Sequence, residues 1–449
     1  MKKQPFIILV FALVICMTFA SCSEINIFRP VDSLMTPPLY YSEYEGLVNA
    51  FNSSVTSGAV LCNPTSGDYL SAITVTDLDG DAAEEGIVFY KDISDGNIAH
   101  FSVFKGEGDI WNRLGDYRGY GDEIDQLIVT DIDGDSVKDI ITVWSYSGIS
   151  SGKVISVYRS EVDVLLYNEL MFESCDIALP VDIDGDDITE IFYITTSQDK
   201  NNVTKTAKLY RYENDSFFLA GAAPVDPFSV NYTGIKTSRA DSFSTLEIYV
   251  DAVKSNNMMI TEILYYDSIN GRLVDPVYDP EVGTNTATLR YEQINCADIN
   301  SDGEIEIPVQ SVWTEGESTD ESPLYVTEWT QFNGSEPVPV TRAFVNVQDG
   351  YAILLDELKN DDVFIRQQSG GDWTSWSVCV RNENDNIGST LFTVVKIPKE
   401  RWENNVSGSD SYITLFKRTD SVVCVRINEE GITGGINEEM IKKITIKLP

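Results

Sequence analysis

An acidic nonapeptide recurs at nearly regular intervals along this chain of 449 residues. Four copies begin at Asp77, Asp131, Asp182 and Asp298, and each has an oxygen-bearing side chain at its first, third, fifth and ninth positions. Self-similarity with a period of roughly 50 residues is typical of propellers and solenoids. The repeat therefore constrains the fold more than any other feature of the sequence.

The gap between the third and fourth copies is about twice as long as the others, and a degenerate fifth copy fills it. Aligning the segment that starts at Glu190 with the one that starts at Glu247 places this copy at residues 239–247. Successive copies then begin 51 to 59 residues apart. Arg239 and Phe243 stand where ligands would be, so we expect this copy to keep its strand without binding a metal ion.

Short apolar runs flank each loop, and alternating stretches rich in Val, Ile, Tyr and Phe follow, separated by Gly, Asp and Asn turns. Helical periodicity is almost absent from residues 66–345. Four short strands per repeat are typical of a propeller blade, with the acidic loop between the first and second strands. The sequence thus predicts a mainly β fold. We expect a β-propeller of about five recognisable blades, or six or seven if flanking segments contribute, followed by a small α+β C-terminal domain.

The spacing of the loop acids suits a hard cation. One Asp-x-Asp-Gly-Asp stretch alone would indicate a solvated turn, but four copies in phase with a repeat favour a metal ion. Ca²⁺ takes six to eight oxygens, whereas Mg²⁺ demands a near-ideal octahedron and Zn²⁺ or copper prefers softer ligands. We predict about four structural Ca²⁺ sites with the ligands Asp77, Asp79, Asp81, Glu85, Asp131, Asp133, Asp135, Asp139, Asp182, Asp184, Asp186, Glu190, Asp298, Asn300, Asp302 and Glu306.

The sixth position of the loop is glycine only in the fourth copy, at Gly303. Ala82, Ser136 and Asp187 stand there in the other three. Alanine and serine seldom adopt a positive φ. We therefore expect looser geometry in the first three loops.

These repeats resemble the FG-GAP and VCBS repeats of integrin α-chain propellers and of many bacterial surface proteins, whose blades carry a Ca²⁺ loop of D-x-D-x-D-G-x-x-D type. The resemblance covers roughly residues 66–345, although the Phe-Gly and Gly-Ala-Pro elements of that family are not visible. It implies that the metal sites are structural and that the propeller presents its loops to a partner.

The first residues predict export. Lys2 and Lys3 precede an apolar run that ends Phe19-Ala20-Ser21-Cys22, which resembles the lipobox of bacterial lipoproteins. A transmembrane anchor is the alternative, but about fifteen apolar residues fall short of the roughly twenty that span a bilayer. We expect a signal peptide at 1–21, lipidation of Cys22, and a tether with an N-terminal helical segment at 22–65. The protein would then be held by lipid on the outer face of a bacterial cell membrane.

Composition excludes some partners. The formal net charge of −39 repels nucleic acid phosphates, so we expect no nucleic acid partner. Five cysteines remain beyond the signal and lipidation positions, and because no two form a C-x-x-C pair, neither a disulfide framework nor a zinc knuckle is indicated. One bridge, such as Cys379 to Cys424, stays open. The five are Cys62, Cys175, Cys296, Cys379 and Cys424.

Motifs of common enzymes are missing from the sequence. His100 is the only histidine, and we expect it to be a strand residue. Gly148 to Gly152 matches G-x-S-x-G, but a strand rather than a helix is predicted after it. We therefore predict a non-enzymatic binding scaffold for a protein or carbohydrate ligand. A polysaccharide-active hydrolase or lyase that uses Asp or Glu on the propeller face is one alternative, and a structural envelope protein is another. For each of these functions we expect the propeller at 66–345 and the C-terminal domain at 346–449.

Overall fold

The protein is mainly β, as predicted, and its strands form several antiparallel sheets. The computed structural model describes residues 44–55, 58–108, 110–148, 152–161, 165–200, 202–239, 246–312, 324–334, 337–358, 363–370, 373–381, 387–406 and 412–448. Within these ranges the strands close no barrel or propeller ring. The predicted signal peptide and the predicted lipidation site Cys22 lie outside the described residues.

Successive stretches of chain form the first four sheets, each an up-and-down arrangement. The first contains β1 (Ala59–Leu61), β2 (Ile73–Thr76), β3 (Glu85–Asp92), β4 (Ile98–Glu107) and β5 (Ile110–Arg118), with β1 and β2 both paired to β3. The second contains β6 (Glu123–Thr130), β7 (Asp139–Ser145), β8 (Lys153–Glu161) and β9 (Leu166–Cys175). The third contains β10 (Ile177–Val181), β11 (Glu190–Asp199), β12 (Asn202–Glu213) and β13 (Ser216–Val225). The fourth contains β14 (Ser229–Ser238), β15 (Glu247–Lys254), β16 (Met259–Asp267) and β17 (Arg272–Val274).

Two five-stranded sheets follow a short hairpin of β18 (Tyr278–Asp279) and β19 (Thr284–Asn285). The fifth sheet has the order β20 (Ile307–Val312), β21 (Tyr325–Phe332), β22 (Pro337–Asn346), β23 (Tyr351–Leu354) and β29 (Thr445–Lys447). The sixth has the order β24 (Val363–Gly370), β25 (Trp373–Arg381), β26 (Ile387–Pro398), β28 (Ser421–Ile427) and β27 (Ile413–Lys417). The last strand of the chain thus returns to the fifth sheet.

Four α-helices lie at the two ends of the described chain: α1 (Glu45–Ser54), α2 (Lys399–Arg401), α3 (Glu429–Thr433) and α4 (Glu438–Ile444). In α4, the Asn437 side chain accepts a hydrogen bond from Met440 N. The helix expected within residues 22–65 is α1, which begins at Glu45 after Tyr44. Tyr44 packs with this helix against the first sheet.

The strands β7, β11 and β15 are buried on both faces, since each lies between two neighbouring sheets. In β7, Ile140 and Trp144 pack towards the first sheet, while Ile141 and Val143 pack towards the third. The strands β11 and β15 divide their side chains between two neighbours in the same way. Because side chains alternate across a strand, a continuous apolar run buries both faces at once. Consecutive sheets are therefore stacked face to face.

Helix α1 covers the outer face of the first sheet. Leu47 and Phe51 of the helix pack on Val88 and Tyr90 of β3, whose alternate residues face the second sheet. Gly86 lies beneath the helix, where a Cβ atom would stand 2.7 Å from a methyl carbon of Leu47. Glycine is required there by this close approach rather than by its backbone angles.

The five cysteines that the structure describes are free thiols, so Cys379 and Cys424 are not bridged. Four of them are buried. Within the described ranges, no helix has both the length and the apolar character needed to cross a membrane.

Candidate metal centres

In the second and third sheets the acidic loop connects the first and second strands, as the sequence predicts, whereas the first copy lies between β2 and β3 and the last between an isolated bridge at Ala297 and β20. The residue before the loop pairs with the ninth residue of the loop in every copy. The pairs are Thr76 with Glu85, Thr130 with Asp139, Val181 with Glu190, Ser238 with Glu247, and Ala297 with Glu306. The fifth, degenerate copy therefore occupies the same structural position as the four acidic ones.

A fixed set of hydrogen bonds shapes the loop. In the first copy, the Asp77 carboxylate accepts from Gly80 N at 2.7 Å and from Ala82 N at 3.0 Å. Asp81 accepts from Ala83 N at 2.7 Å. The equivalent bonds recur in the other three acidic loops. The first and fifth positions thus act on the backbone of the loop as well as offering oxygens.

The sixth residue has a left-handed backbone in all four loops, whatever its side chain. Its φ is 67° at Ala82, 72° at Ser136, 66° at Asp187 and 92° at Gly303. The expectation of looser geometry in the first three loops is therefore wrong. The backbone N–H of this residue is held by the first carboxylate of the loop, and that hydrogen bond offsets the left-handed strain of about 1–2 kcal/mol.

The ninth residue is a buried carboxylate, because it begins or directly precedes a strand whose residues are buried. Glu85, Asp139, Glu190 and Glu306 are at most 2% exposed. Each accepts a hydrogen bond from the backbone N–H of the second residue in its loop, at 2.8 to 3.0 Å. Burial raises the pKa of Asp139, Glu190 and Glu306 to about 7, since desolvation disfavours the charged carboxylate.

The structure brings three predicted ligands of each of the first three loops together. One oxygen from each member lies within 4.8 Å of the others in the groups Asp77, Asp79 and Glu85; Asp131, Asp133 and Asp139; and Asp182, Asp184 and Glu190. The fifth-position acids Asp81, Asp135 and Asp186 are not members of these groups. These clusters could bind a metal ion, because converging carboxylates repel one another unless a cation lies between them.

A lysine or arginine from the strand that follows the ninth residue's strand also reaches each of these clusters. These strands are β4, β8 and β12. Lys105 of β4 is paired in register with Glu85, and its Nζ lies 2.5 Å from Asp79 Oδ2, 3.2 Å from Asp81 Oδ2 and 3.6 Å from Glu85 Oε1. The ammonium group therefore stands among the oxygens that a metal ion would use. One oxygen of Glu85, Oε1, has no hydrogen-bond partner although it is buried.

Arginine takes the same place in the second and third loops. Arg159 Nε lies 2.5 Å from Asp133 Oδ2. Arg211 contacts Asp184 through a terminal nitrogen, and its Nε lies 3.1 Å from Glu190 Oε1. These side chains supply an internal positive charge to three of the four acidic loops.

Only amide groups take this place in the fourth loop. Gln331 of β21 donates from Nε2 to Asp302 Oδ2 at 2.9 Å and to Glu306 Oε1 at 2.7 Å. Asn300 donates to the same two oxygens at 2.8 and 3.1 Å. The ligands Asp302 and Glu306 are thus joined by hydrogen bonds, but no cationic side chain of the described residues pairs with them. Asp298 holds the loop backbone.

The degenerate copy retains its ninth residue and, at its third position, Asp241, which lies outside the described residues. Glu247 is 2% exposed and accepts a hydrogen bond from the Tyr249 hydroxyl. Its partner in register on the third strand is Tyr265. Phe243 and the rest of the loop interior lie outside the described residues, so the expected loss of metal binding stays a prediction.

Lys105, Arg159, Arg211 and Gln331 were not among the predicted site residues. A repeated signal was present for three of them, because an aliphatic residue and an aromatic residue precede the cation each time. These triplets are Val103-Phe104-Lys105, Val157-Tyr158-Arg159 and Leu209-Tyr210-Arg211. Their role depends on cross-strand register, which the triplets alone do not reveal.

Fold and loops together define a mainly β protein of stacked antiparallel sheets with acidic clusters that could hold a metal ion. No family model matches the chain, and no curated protein is recognisably similar to it. Among solved structures, Sqt1 of Saccharomyces cerevisiae has a TM-score of 0.34 at 10% identity, over 79% of this chain and 95% of Sqt1. The rhamnogalacturonan lyase PL11 of Bacillus licheniformis has a TM-score of 0.29 at 11% identity, over 73% and 71%.

A third solved structure, the mannose phosphorylase MPT-4 of Leishmania mexicana, has a TM-score of 0.25 at 10% identity, over 66% of this chain and 92% of that one. All three TM-scores lie below 0.5. No argument about the function of this protein rests on these likenesses.

Proposed function

We propose that the four acidic loops bind Ca²⁺ and that the bound ions stabilise the fold of a non-enzymatic binding scaffold. The observation that carries this proposal is the fourfold recurrence of one loop, with the same backbone hydrogen bonds and the same buried ninth carboxylate. A solvated turn needs no buried acid. The buried carboxylate costs folding free energy unless a cation or hydrogen bonds compensate it.

The donor chemistry favours calcium over other metals. All groups at the loop centres are carboxylate or amide oxygens, and no histidine or cysteine accompanies them within the described residues. Ca²⁺ accepts irregular oxygen shells, whereas Mg²⁺ keeps its waters and a strict octahedron. A loop with three converging carboxylate side chains suits the more permissive ion.

The stacked sheets are blades of propeller type in this proposal. Support comes from β7, β11 and β15, each of which packs on both the preceding and the following sheet. Each Ca²⁺ would then fix a connection at the point where two sheets meet. Bound metal would stabilise the folded chain by mass action, about 2.7 kcal/mol per site at a hundredfold excess over Kd.

The scaffold would act on the cell surface. The lipobox-like Phe19-Ala20-Ser21-Cys22 supports a lipid anchor at Cys22, and the strongly acidic composition supports a partner other than nucleic acid or an anionic membrane. The partner would be a protein or a carbohydrate.

Thermal unfolding with and without metal tests the calcium proposal. The melting temperature should rise by several degrees between excess chelator and millimolar Ca²⁺, because the ion binds only the folded loops. The double variant Asp131→Ala, Asp133→Ala should reduce this rise, since it removes two ligands of one site. An unchanged melting temperature on adding Ca²⁺ would refute the proposal.

The degenerate copy supplies a matched control. Glu247 occupies the same register position as Glu85 but belongs to a loop in which Arg239 and Phe243 replace the first and fifth ligands. Glu247→Gln should change the melting temperature in chelator, because it alters a buried carboxylate, while the Ca²⁺-dependent rise stays as in the unsubstituted protein.

A further inference from the structure

One face of the sixth sheet is apolar, and the other carries a row of polar side chains beside a small apolar cluster that includes Ile397 and Cys424. Ile365, Val378 and Phe392 form a row of cross-strand neighbours that packs into the core beneath helix α4. The neighbouring row points the other way, since side chains alternate along each strand. That row runs across four strands as Arg366, Ser377, Thr393 and Arg426.

A cavity of about 430 Å³ lies on this polar face. Its floor includes the buried hydroxyl side chains of Ser375 and Ser377, and Ser377 Oγ lies 3.1 Å from Thr393 Oγ1. Arg401 and Tyr412 come from segments beyond the edge of the row and line the same cavity. A cavity of this size falls within the range that takes a small molecule.

The charge of the cavity is opposite to that of the protein. Arg366, Arg401 and Arg426 line it, and no Asp or Glu is among the described residues that do so. The chain as a whole has 71 acidic residues against 32 basic ones. Arg426 is exposed and has no ion-pair partner within the described part of the chain. Three arginines line one concave site in a chain with a large excess of acids, and the exposed Arg426 in particular favours an anion.

We propose that this cavity binds a small hydroxylated carboxylate, such as a sugar acid. The planar guanidinium group pairs with a carboxylate through two parallel hydrogen bonds, and arginine is suited to that ligand for this reason. The Ser, Thr and Tyr hydroxyls that line the cavity are partners for the hydroxyl groups of the ligand. This site shares no residue with the acidic loops, so it stands or falls independently of calcium binding.

Titration calorimetry on the purified protein tests the proposal with sodium glucuronate as the probe. Glucuronamide is the matched neutral ligand, because it replaces only the carboxylate, and sodium sulfate is the inorganic anion. Glucuronate should bind saturably, and glucuronamide should bind at least tenfold more weakly, since a hydrogen bond to a charged group is worth roughly that factor. Stronger binding of sulfate than of glucuronate would overturn the assignment to a carboxylate.

Arginine variants test whether glucuronate binds in this cavity. Arg426→Gln should weaken glucuronate binding at least tenfold, and Arg426→Lys should restore part of it by returning the charge. Arg272→Gln is the control, because this exposed arginine of β17 lines no part of the cavity and its loss changes the net charge equally. Equal affinities for Arg426→Gln and Arg272→Gln, or an absence of glucuronate binding to the unsubstituted protein, would refute the proposal.

Discussion

The cationic side chains of Lys105, Arg159 and Arg211 should compete with metal ions for the loop oxygens. Arg159 Nε lies 2.5 Å from Asp133 Oδ2. Ca²⁺ bound to the same oxygen would lie roughly 2.4 Å from it. The guanidinium group and the ion would then be separated by about 4 Å, so the arginine must either move away or weaken the binding of the metal.

The size of this effect follows from Coulomb's law. Two unit charges about 4 Å apart interact by about 1 kcal/mol in bulk water, so a divalent ion beside one arginine costs about 2 kcal/mol. The water value applies because Arg159 is partly exposed and can reorient. Since about 1.4 kcal/mol corresponds to a tenfold change, Arg159→Gln should tighten Ca²⁺ binding at the second loop roughly 30-fold. Gln331→Arg should weaken binding at the fourth loop by a similar factor.

Titration calorimetry measures the effect as a change in the number of tight Ca²⁺ sites. The fourth loop has an amide where the other three acidic loops have a cation, so the unsubstituted protein should have a single tighter site. Arg159→Gln should create a second tight site, whereas Gln331→Arg should remove the first. In excess chelator, Arg159→Gln should also unfold more easily, because the carboxylates lose their internal counter-charge.

One result would contradict the expected competition between Arg159 and the metal ion. Unchanged or weaker Ca²⁺ binding by Arg159→Gln would show that the guanidinium group supports the metal site instead of competing for it. Arg272→Gln controls for the change in net charge, since its nearest acid, Asp267, belongs to no loop.

Two further predictions concern the first sheet. Gly86→Ala should destabilise the fold by about 1–3 kcal/mol in urea unfolding, because the added methyl group would overlap Leu47, and no loss of stability would contradict the close packing. His100 is buried, which lowers its pKa, but the hydrogen bonds and charges of Asp116 and Asp95 outweigh burial and raise it. Its stabilising contribution should be fully present below pH about 6.5 and lost as pH rises through the folded-state pKa, so His100→Gln should flatten the pH dependence of unfolding between pH 5.5 and 8.5. An unaltered pH profile would count against the pairing.

The place of the loops in the fold could be predicted because the information is local. Acids spaced two residues apart, followed by an apolar run, identify the connection between the first two strands of each repeat. The same alignment placed Glu247 at the ninth position of the degenerate copy, and its pairing with Ser238 confirms that register. The apolar run before a loop is a strand as well, as at Ile177–Val181.

The internal cations could not be predicted in the same way. Alternation shows only that Lys105 and Phe104 point to opposite faces of β4. Which acid Lys105 meets depends on the register between β3 and β4, and that register is set by the turn between them. The polar row of the sixth sheet could not be predicted for a similar reason. Its arginines and hydroxyl groups become neighbours only when four strands are aligned in register.

Backbone strain was misjudged from residue type. Ala82 and Ser136 were expected to resist the left-handed conformation, yet they adopt it. The carboxylates of Asp77 and Asp131 hold the backbone N–H groups of these residues at 3.0 and 2.9 Å. Side-chain oxygens three to five residues upstream can therefore decide a conformation that propensity alone disfavours.

Helix α1 also has a consequence for how the chain can be shortened. Every other face of the early sheets is covered by a neighbouring sheet, but the outer face of the first sheet depends on Leu47 and Phe51. A truncated chain that starts after Ser54 would present Val88, Tyr90 and Phe104 to water as one apolar surface. Such a surface promotes self-association. Any soluble fragment should therefore begin before Glu45.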